Sequence, residues 1–162
     1  MWSVVKTAIF TVLVPGSVGV YIPYRLGEPR AHPVSALAWL GWAPLAVGAA
    51  IYFWCAWDFA TFGGGTPLPA DAPKRLVAHG LYRYVRNPMY VGVLLTILGQ
   101  GIWFESRAIL WYAVIVAFFF NLFVFLYEEP TLRRKFGESY VRYCQTVPRW
   151  IPKPAAKPAR AK

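Results

Sequence analysis

Two stretches of this chain gather side chains that can do chemistry. The first is 76–92, Leu-Val-Ala-His-Gly-Leu-Tyr-Arg-Tyr-Val-Arg-Asn-Pro-Met-Tyr-Val-Gly. Asn87-Pro88 is a helix-start signal there. Asn can cap free N–H groups, and Pro fits the first helical position because its missing N–H has no partner there. Just ahead lie Tyr82, Arg83, Tyr84 and Arg86, whose amphipathic side chains favour a membrane–water interface. The second stretch is Glu128-Glu129, at the end of a long apolar run. Aromatic faces and carboxylates are the residue types that attract a small cationic ligand. If the two stretches lie on one side of a membrane, they build one small-molecule site.

The rest of the chain supplies the membrane. Of its 162 residues 57% are apolar and 18% aromatic, with a mean hydropathy of +0.40. Four segments carry no Asp, Glu, Lys or Arg: 7–24, 31–57, 87–104 and 108–127. A spanning helix needs about 20 mostly apolar residues, so the pattern predicts an all-α integral membrane protein with about four transmembrane helices. The first apolar run lacks a small-residue cleavage site and is read as a span rather than a signal peptide. Pro15-Gly16 predicts a kink in it, with neighbouring helices satisfying the freed backbone groups. Pro44 predicts a kink in the second, where Gly41, Ala43, Ala46, Gly48, Ala49 and Ala50 offer close packing surfaces. The third and fourth helices, joined by Glu105-Ser106-Arg107, form a tight antiparallel hairpin.

Charge orients these spans. Lys74, Arg75, Arg83 and Arg86 lie between the second and third, and nine further Lys and Arg follow residue 130; with Lys6 they put fourteen of the 17 basic residues on one side. By the positive-inside rule that side, with both termini, is cytoplasmic. The net charge of +10 is thereby assigned to anionic lipid headgroups and not to nucleic acid. Cys55 and Cys144 give neither a metal spacing nor a disulfide framework.

Several smaller features are weaker. His32 reads as a loop residue on the outer face. Asp58 reads as an interfacial carboxylate or as a wall of the polar site. Gly63-Gly64-Gly65 permits a sharp turn or a close ligand approach, but no Lys-Ser/Thr follows, so it is not a phosphate loop. Glu128-Glu129-Pro130 reads as a helix break. Beyond it Leu132, Phe136, Tyr140, Tyr143 and Val147 recur at helical spacing, with Arg133, Arg134, Lys135, Glu138 and Arg142 on the other faces. Residues 130–147 are therefore expected as an amphipathic cytoplasmic helix. The extended segment Val147–Pro152 carries an interfacial Trp150, and 153–162 reads as a disordered basic tail.

Taken in order, these blocks resemble the isoprenylcysteine carboxyl methyltransferases and the related phospholipid N-methyltransferases. The blocks are His79-Gly80-Leu81-Tyr82, Arg86-Asn87-Pro88-Met89-Tyr90-Val91-Gly92, Glu128-Glu129-Pro130-Thr131-Leu132, Phe136-Gly137-Glu138-Ser139-Tyr140-Val141-Arg142-Tyr143 and Val147-Pro148-Arg149-Trp150-Ile151-Pro152. The resemblance covers about 63–152, a cofactor-binding half, with 1–62 supplying two N-terminal spans of the same single domain (1–152). It implies S-adenosylmethionine as methyl donor and a lipophilic or membrane-embedded acceptor (carboxylate, amine or thiol). It further implies that Leu76, Val77, Tyr82, Asn87, Pro88, Met89 and Tyr90 bind the cofactor, while Glu128 and Glu129 close the site. Asn87 stands where the family's usual residue is His; it exchanges hydrogen bonds but does not titrate near neutral pH. Two other readings share these features. One is an NADPH-dependent membrane reductase of the sterol-reductase type, which would want basic groups for a 2′-phosphate. The other is a non-enzymatic membrane protein that binds a partner.

Overall fold

A computed structural model describes residues 9–27, 35–59, 61, 76 and 78–153. Five helices are described. Three are long and apolar enough to cross a membrane: α1 (Ile9–Leu26), α2 (Ala36–Asp58) and α4 (Arg107–Phe136). The apolar α3 (Pro88–Trp103) is shorter. At 16 residues it is about 24 Å long, less than the roughly 30 Å hydrocarbon core. The short α5 (Glu138–Thr146) completes the set. The fold is all-α and membrane-embedded. Val77, Gly63–Gly65, His32 and the tail from 154 onward lie outside the described residues.

Helices α2 and α3 run antiparallel in backbone contact. Gly41 faces Gly99 and Gly48 faces Gly92, seven residues apart on each helix. A Cβ on Gly48 would stand 2.5 Å from the Gly92 carbonyl oxygen and 2.7 Å from the Thr96 nitrogen. With no hydrophobic force between helices in lipid, such close backbone approach is what makes packing favourable. Of the small residues anticipated on α2, Gly41 and Gly48 carry this contact. Tyr52, Ala56, Val93, Ile97, Ile109 and Val116 form the core between α2, α3 and α4.

Helices α1 and α4 each contain a widened turn beside a proline. In α1 it spans Ser17–Tyr21, just after Pro15. The polar groups that the expected kink requires come from α3 and α4. Gln100 Nε2 donates to the Gly19 carbonyl at 2.6 Å, and Tyr112 Oη donates to the Val18 carbonyl at 3.0 Å. In α4 the widened turn spans Val124–Glu128, and the Glu129 N–H reaches back five residues to the Val124 carbonyl. That turn absorbs the disturbance of Pro130, so the helix expected to break at Glu128-Glu129-Pro130 instead continues to Phe136. In α2 the first turns, Ala36–Gly41, are wound tightly, and the ordinary helix begins two residues ahead of Pro44.

The break comes at Gly137, whose φ of +53° suits glycine. The amphipathic helix expected over 130–147 is therefore the end of α4 followed by a separate α5. The face assignment survives the division: Tyr140 and Val147 are buried, while Arg133, Arg134, Lys135, Glu138 and Arg142 are exposed. The α3–α4 hairpin forms as expected, with the Ser106 side chain accepting from the Ile109 N–H. Rings of Trp39 and Trp42 meet Trp103 edge-on at this end of the bundle, as an interfacial aromatic cluster.

Candidate active site

The two chemical stretches meet at the opposite end of the bundle. Residues 80–83 make one tight turn that leads into α3 through Asn87 and Pro88. The widened turn of α4 brings Glu128 against the first turn of α3, where Tyr90 Oη donates to Glu128 Oε2 at 2.8 Å. These groups line a cavity of about 100 Å³. Tyr82, Arg86, Asn87, Met89, Tyr90 and Glu128 form its polar side, and Phe10, Val14, Pro15 and Val18 of α1 close it with Tyr52, Val93 and Phe120. Tyrosine rings, a thioether and a carboxylate thus face one small space.

Glu129 points elsewhere. Its carboxylate accepts from Arg149 Nε and Nη2, both at 2.7 Å, and from Arg86 Nη1 at 2.9 Å. Arg149 grips it bidentately, the strong geometry for this pair. The same Arg86 Nη1 lies 2.9 Å from Cys144 Sγ on α5. The hydrogen bond to Glu129 holds the Arg149 guanidinium above its ordinary pKa. Arg86 Nε is buried without a hydrogen-bond partner among the described residues.

The segment 148–153 lies across the loop before α3 as a strap. Arg86 N–H donates to the Pro148 carbonyl at 2.8 Å and Lys153 N–H to the Tyr84 carbonyl at 3.1 Å. Asn87 Nδ2 donates to the Arg149 carbonyl at 3.1 Å. Asn87 is the residue that begins α3, as expected, but its side chain makes no capping bond. The strap has drawn the amide away from the helix end. Tyr143 Oη donates to the Tyr82 carbonyl at 2.7 Å, tying α5 to the same loop. Burial pushes the pKa of the Tyr143 hydroxyl up, so it stays a neutral donor.

Of the residues singled out from the sequence, Tyr82, Asn87, Met89, Tyr90 and Glu128 line the cavity. Pro88 is buried at the start of α3, and Leu76 is half-buried and does not line it. Glu129 is held in the arginine clamp. Asp58 is 5% exposed, which overturns the reading as a solvated interfacial carboxylate, and it does not line the cavity either. It backs the turn at Gly80, with Oδ2 3.7 Å from His79 Nδ1. Gly80 has φ +56°, and a Cβ there would stand 2.5 Å from Asp58 Oδ2. Tyr52 and the first half of α1 were not singled out as site residues. A tyrosine inside an apolar span was the available signal for the former; the apolar face of α1 gave none.

The fold and site define an integral membrane protein with a polar, aromatic-lined cavity at one end of its helical bundle. A family model described as phospholipid methyltransferase matches residues 36–139, and the chain belongs to that family. It is 35% identical over 79 residues to protein-S-isoprenylcysteine O-methyltransferase B of Arabidopsis thaliana, across 48% of this chain and 40% of that protein. It is 37% identical over 78 residues to protein-S-isoprenylcysteine O-methyltransferase of Schizosaccharomyces pombe, across 48% of this chain and 33% of that protein. An uncharacterized protein of Haemophilus influenzae is matched over its whole length, 38% identical over 64 residues. The chain thus spans well under half the length of the two named methyltransferases. No solved structure matches.

Proposed function

We propose that this protein transfers a methyl group from S-adenosylmethionine to a lipophilic acceptor at the cytoplasmic face of a membrane. The observation that carries the reading is the Tyr90–Glu128 pair set into a cavity with Tyr82, Met89 and Asn87. The donor set fits the cofactor: carboxylate and aromatic faces favour a sulfonium cation. The cavity's 100 Å³ is smaller than the roughly 300–1,000 Å³ of a whole ligand site, so it suits the reacting end of the donor.

The cofactor supplies an activated methyl on a positively charged sulfur. The chain supplies placement. Tyr82, Met89 and Tyr90 form the walls that orient the ligand, and good orientation supplies about 7–11 kcal/mol of rate acceleration. Glu128, which accepts from the Tyr90 hydroxyl, would face a bound sulfonium with its carboxylate, and it could take a proton where the acceptor is an amine. A carboxylate or thiolate acceptor needs no base, so Asn87 in place of histidine is compatible with the chemistry. Residues 1–152 act as one unit in this reading, because the strap completes a site begun in the bundle.

The arginines weigh against the reductase alternative. Arg86 and Arg149 are both engaged with Glu129, which occupies the charge a 2′-phosphate would use. Calorimetric titration of the detergent-purified protein with S-adenosylhomocysteine tests the proposal. Micromolar binding, weakened at least tenfold in Glu128→Gln, is expected. A folded protein that does not bind it overturns the reading, and NADPH would be titrated next.

A further inference from the structure

Asp58 is a carboxylate that the proposed chemistry leaves unused, and it sits in a place that is costly for an acid. It is the last residue of α2 and 5% exposed. Its Oδ2 is buried without a hydrogen-bond partner among the described residues. The turn that begins at Gly80 lies directly on it. A Cβ on Gly80 would stand 2.5 Å from Asp58 Oδ2 and 3.4 Å from Trp54 Nε1. Burying a charge without full partners costs free energy, and an ionisable group kept at membrane depth ordinarily serves a site.

The cavity begins on the far side of Tyr82. Cys55 lies one turn back from Asp58 on the same face of α2 and is buried against Tyr82. Phe59, the residue after Asp58, meets the Tyr82 ring edge-on, with 5.7 Å between ring centres. Tyr82 in turn lines the cavity, and Asp58 does not. Asp58 therefore stands behind the Tyr82 wall. The other charges here answer one another. Arg86 and Glu128 line the cavity, and Arg149 and Glu129 complete the clamp beside it, so two arginines meet two glutamates. Asp58 adds a further negative charge. His79 Nδ1 lies 3.7 Å from Oδ2 and balances it only where the imidazole is protonated. Arg83, on the same turn, is exposed, and water and salt screen it. A buried carboxylate is screened far less, so its potential carries through the wall.

We infer that Asp58 is a positioning residue for the positively charged end of the methyl donor: its carboxylate, set behind Tyr82, gives the cavity an excess of negative charge and holds the sulfonium at the Tyr82 wall. It acts through the wall and touches no ligand atom. Its selectivity is for charge, favouring a cationic ligand over a neutral one of the same shape. The inference rests on the methyl-donor reading for the identity of that ligand.

The test titrates the full chain in detergent with two probes by calorimetry. Sinefungin carries an ammonium where S-adenosylhomocysteine carries a neutral thioether. Asp58→Asn keeps the side-chain shape and removes the charge. It should weaken sinefungin binding at least about fivefold and leave S-adenosylhomocysteine affinity within about twofold. The loss should persist from about 0.1 M to about 1 M salt, a range over which the effect of a surface charge is screened out. Asp58→Ala, smaller and equally neutral, is the second variant and should show the same selectivity. Glu128→Gln, which alters the cavity itself, should weaken both probes. Equal weakening of both probes by the two Asp58 variants would make Asp58 a support of the Gly80 turn and overturn the inference. Unchanged sinefungin affinity, a loss that high salt abolishes, or failure of both variants to fold overturns it too. Folded wild-type protein that binds neither probe sinks the methyl-donor reading itself, and this inference with it.

Discussion

Replacing Glu129 by Gln tests whether the clamp is what holds the strap on the bundle. The carboxylate accepts three hydrogen bonds from two guanidiniums, at 2.7, 2.7 and 2.9 Å. The Glu129, Arg86 and Arg149 side chains are 15%, 14% and 30% exposed. Gln keeps the shape, removes the charge and turns an NH₂ group toward one arginine. Removing one partner of a buried ion pair costs about 3–5 kcal/mol. Arg149 is the most exposed of the three, and solvent screens its share, so the low end, about 3 kcal/mol, applies. For a chain of this size each kcal/mol moves the melting temperature by roughly 2–4 °C, giving a fall of roughly 6–12 °C. Arg149→Lys keeps the charge and loses only the bidentate grip, so a fall of roughly 2–4 °C is expected. Both are read by intrinsic fluorescence during thermal unfolding in detergent. An unchanged melting temperature in Glu129→Gln, together with lost S-adenosylhomocysteine binding, would refute the reasoning and make Glu129 a ligand-binding group.

Other outcomes follow from the same geometry. Tyr90→Phe removes the donor to Glu128 and should lower methyl transfer about 10- to 100-fold in a radiolabelled-methyl assay, with the fold kept by circular dichroism. Gly48→Leu drives a side chain into the α3 backbone and should abolish monodisperse protein on size exclusion, since overpacking costs about 1–3 kcal/mol even where neighbours can move. The half-buried Tyr143 hydroxyl has a raised pKa, so folding favours its neutral form. The stability it contributes is complete below about pH 10, the unfolded value, and is lost as pH rises above it. The melting temperature should therefore fall above pH 10, and less steeply in Tyr143→Phe, which starts lower for want of the bond to Tyr82.

The membrane helices were legible because lipid imposes a simple rule: a span must be long, apolar and free of charge. Asn87-Pro88 marked the start of α3 for an equally local reason. The continuation of α4 through Pro130 was not legible, because relief came from a widened turn whose hydrogen bonds depend on the whole helix and leave no residue signature. The same holds for the separate fates of Glu128 and Glu129. Adjacent and chemically identical in sequence, they point roughly 100° apart on a helix. One meets Tyr90 in the cavity and the other meets two arginines outside it. The amide of Asn87 likewise answers to a carbonyl 62 residues away, at Arg149, which no local pattern contains.

The strap also sets the order in which this molecule becomes complete. Every described helix of the membrane bundle is encoded by Phe136, and the glycine contacts between α2 and α3 can form as soon as those two helices emerge. The cavity cannot take its final form then. Tyr84, Arg86 and Asn87 wait on Lys153, Pro148 and Arg149, and Glu129 waits on Arg149. During synthesis the protein therefore passes through a stage in which it is inserted and packed but has no finished site. Closing it is a late event that fixes one long loop of chain and whose entropy cost the ion pair and the backbone bonds must offset. A chain interrupted in that interval would hold the packed helices without the ion pair and backbone bonds that finish the cavity.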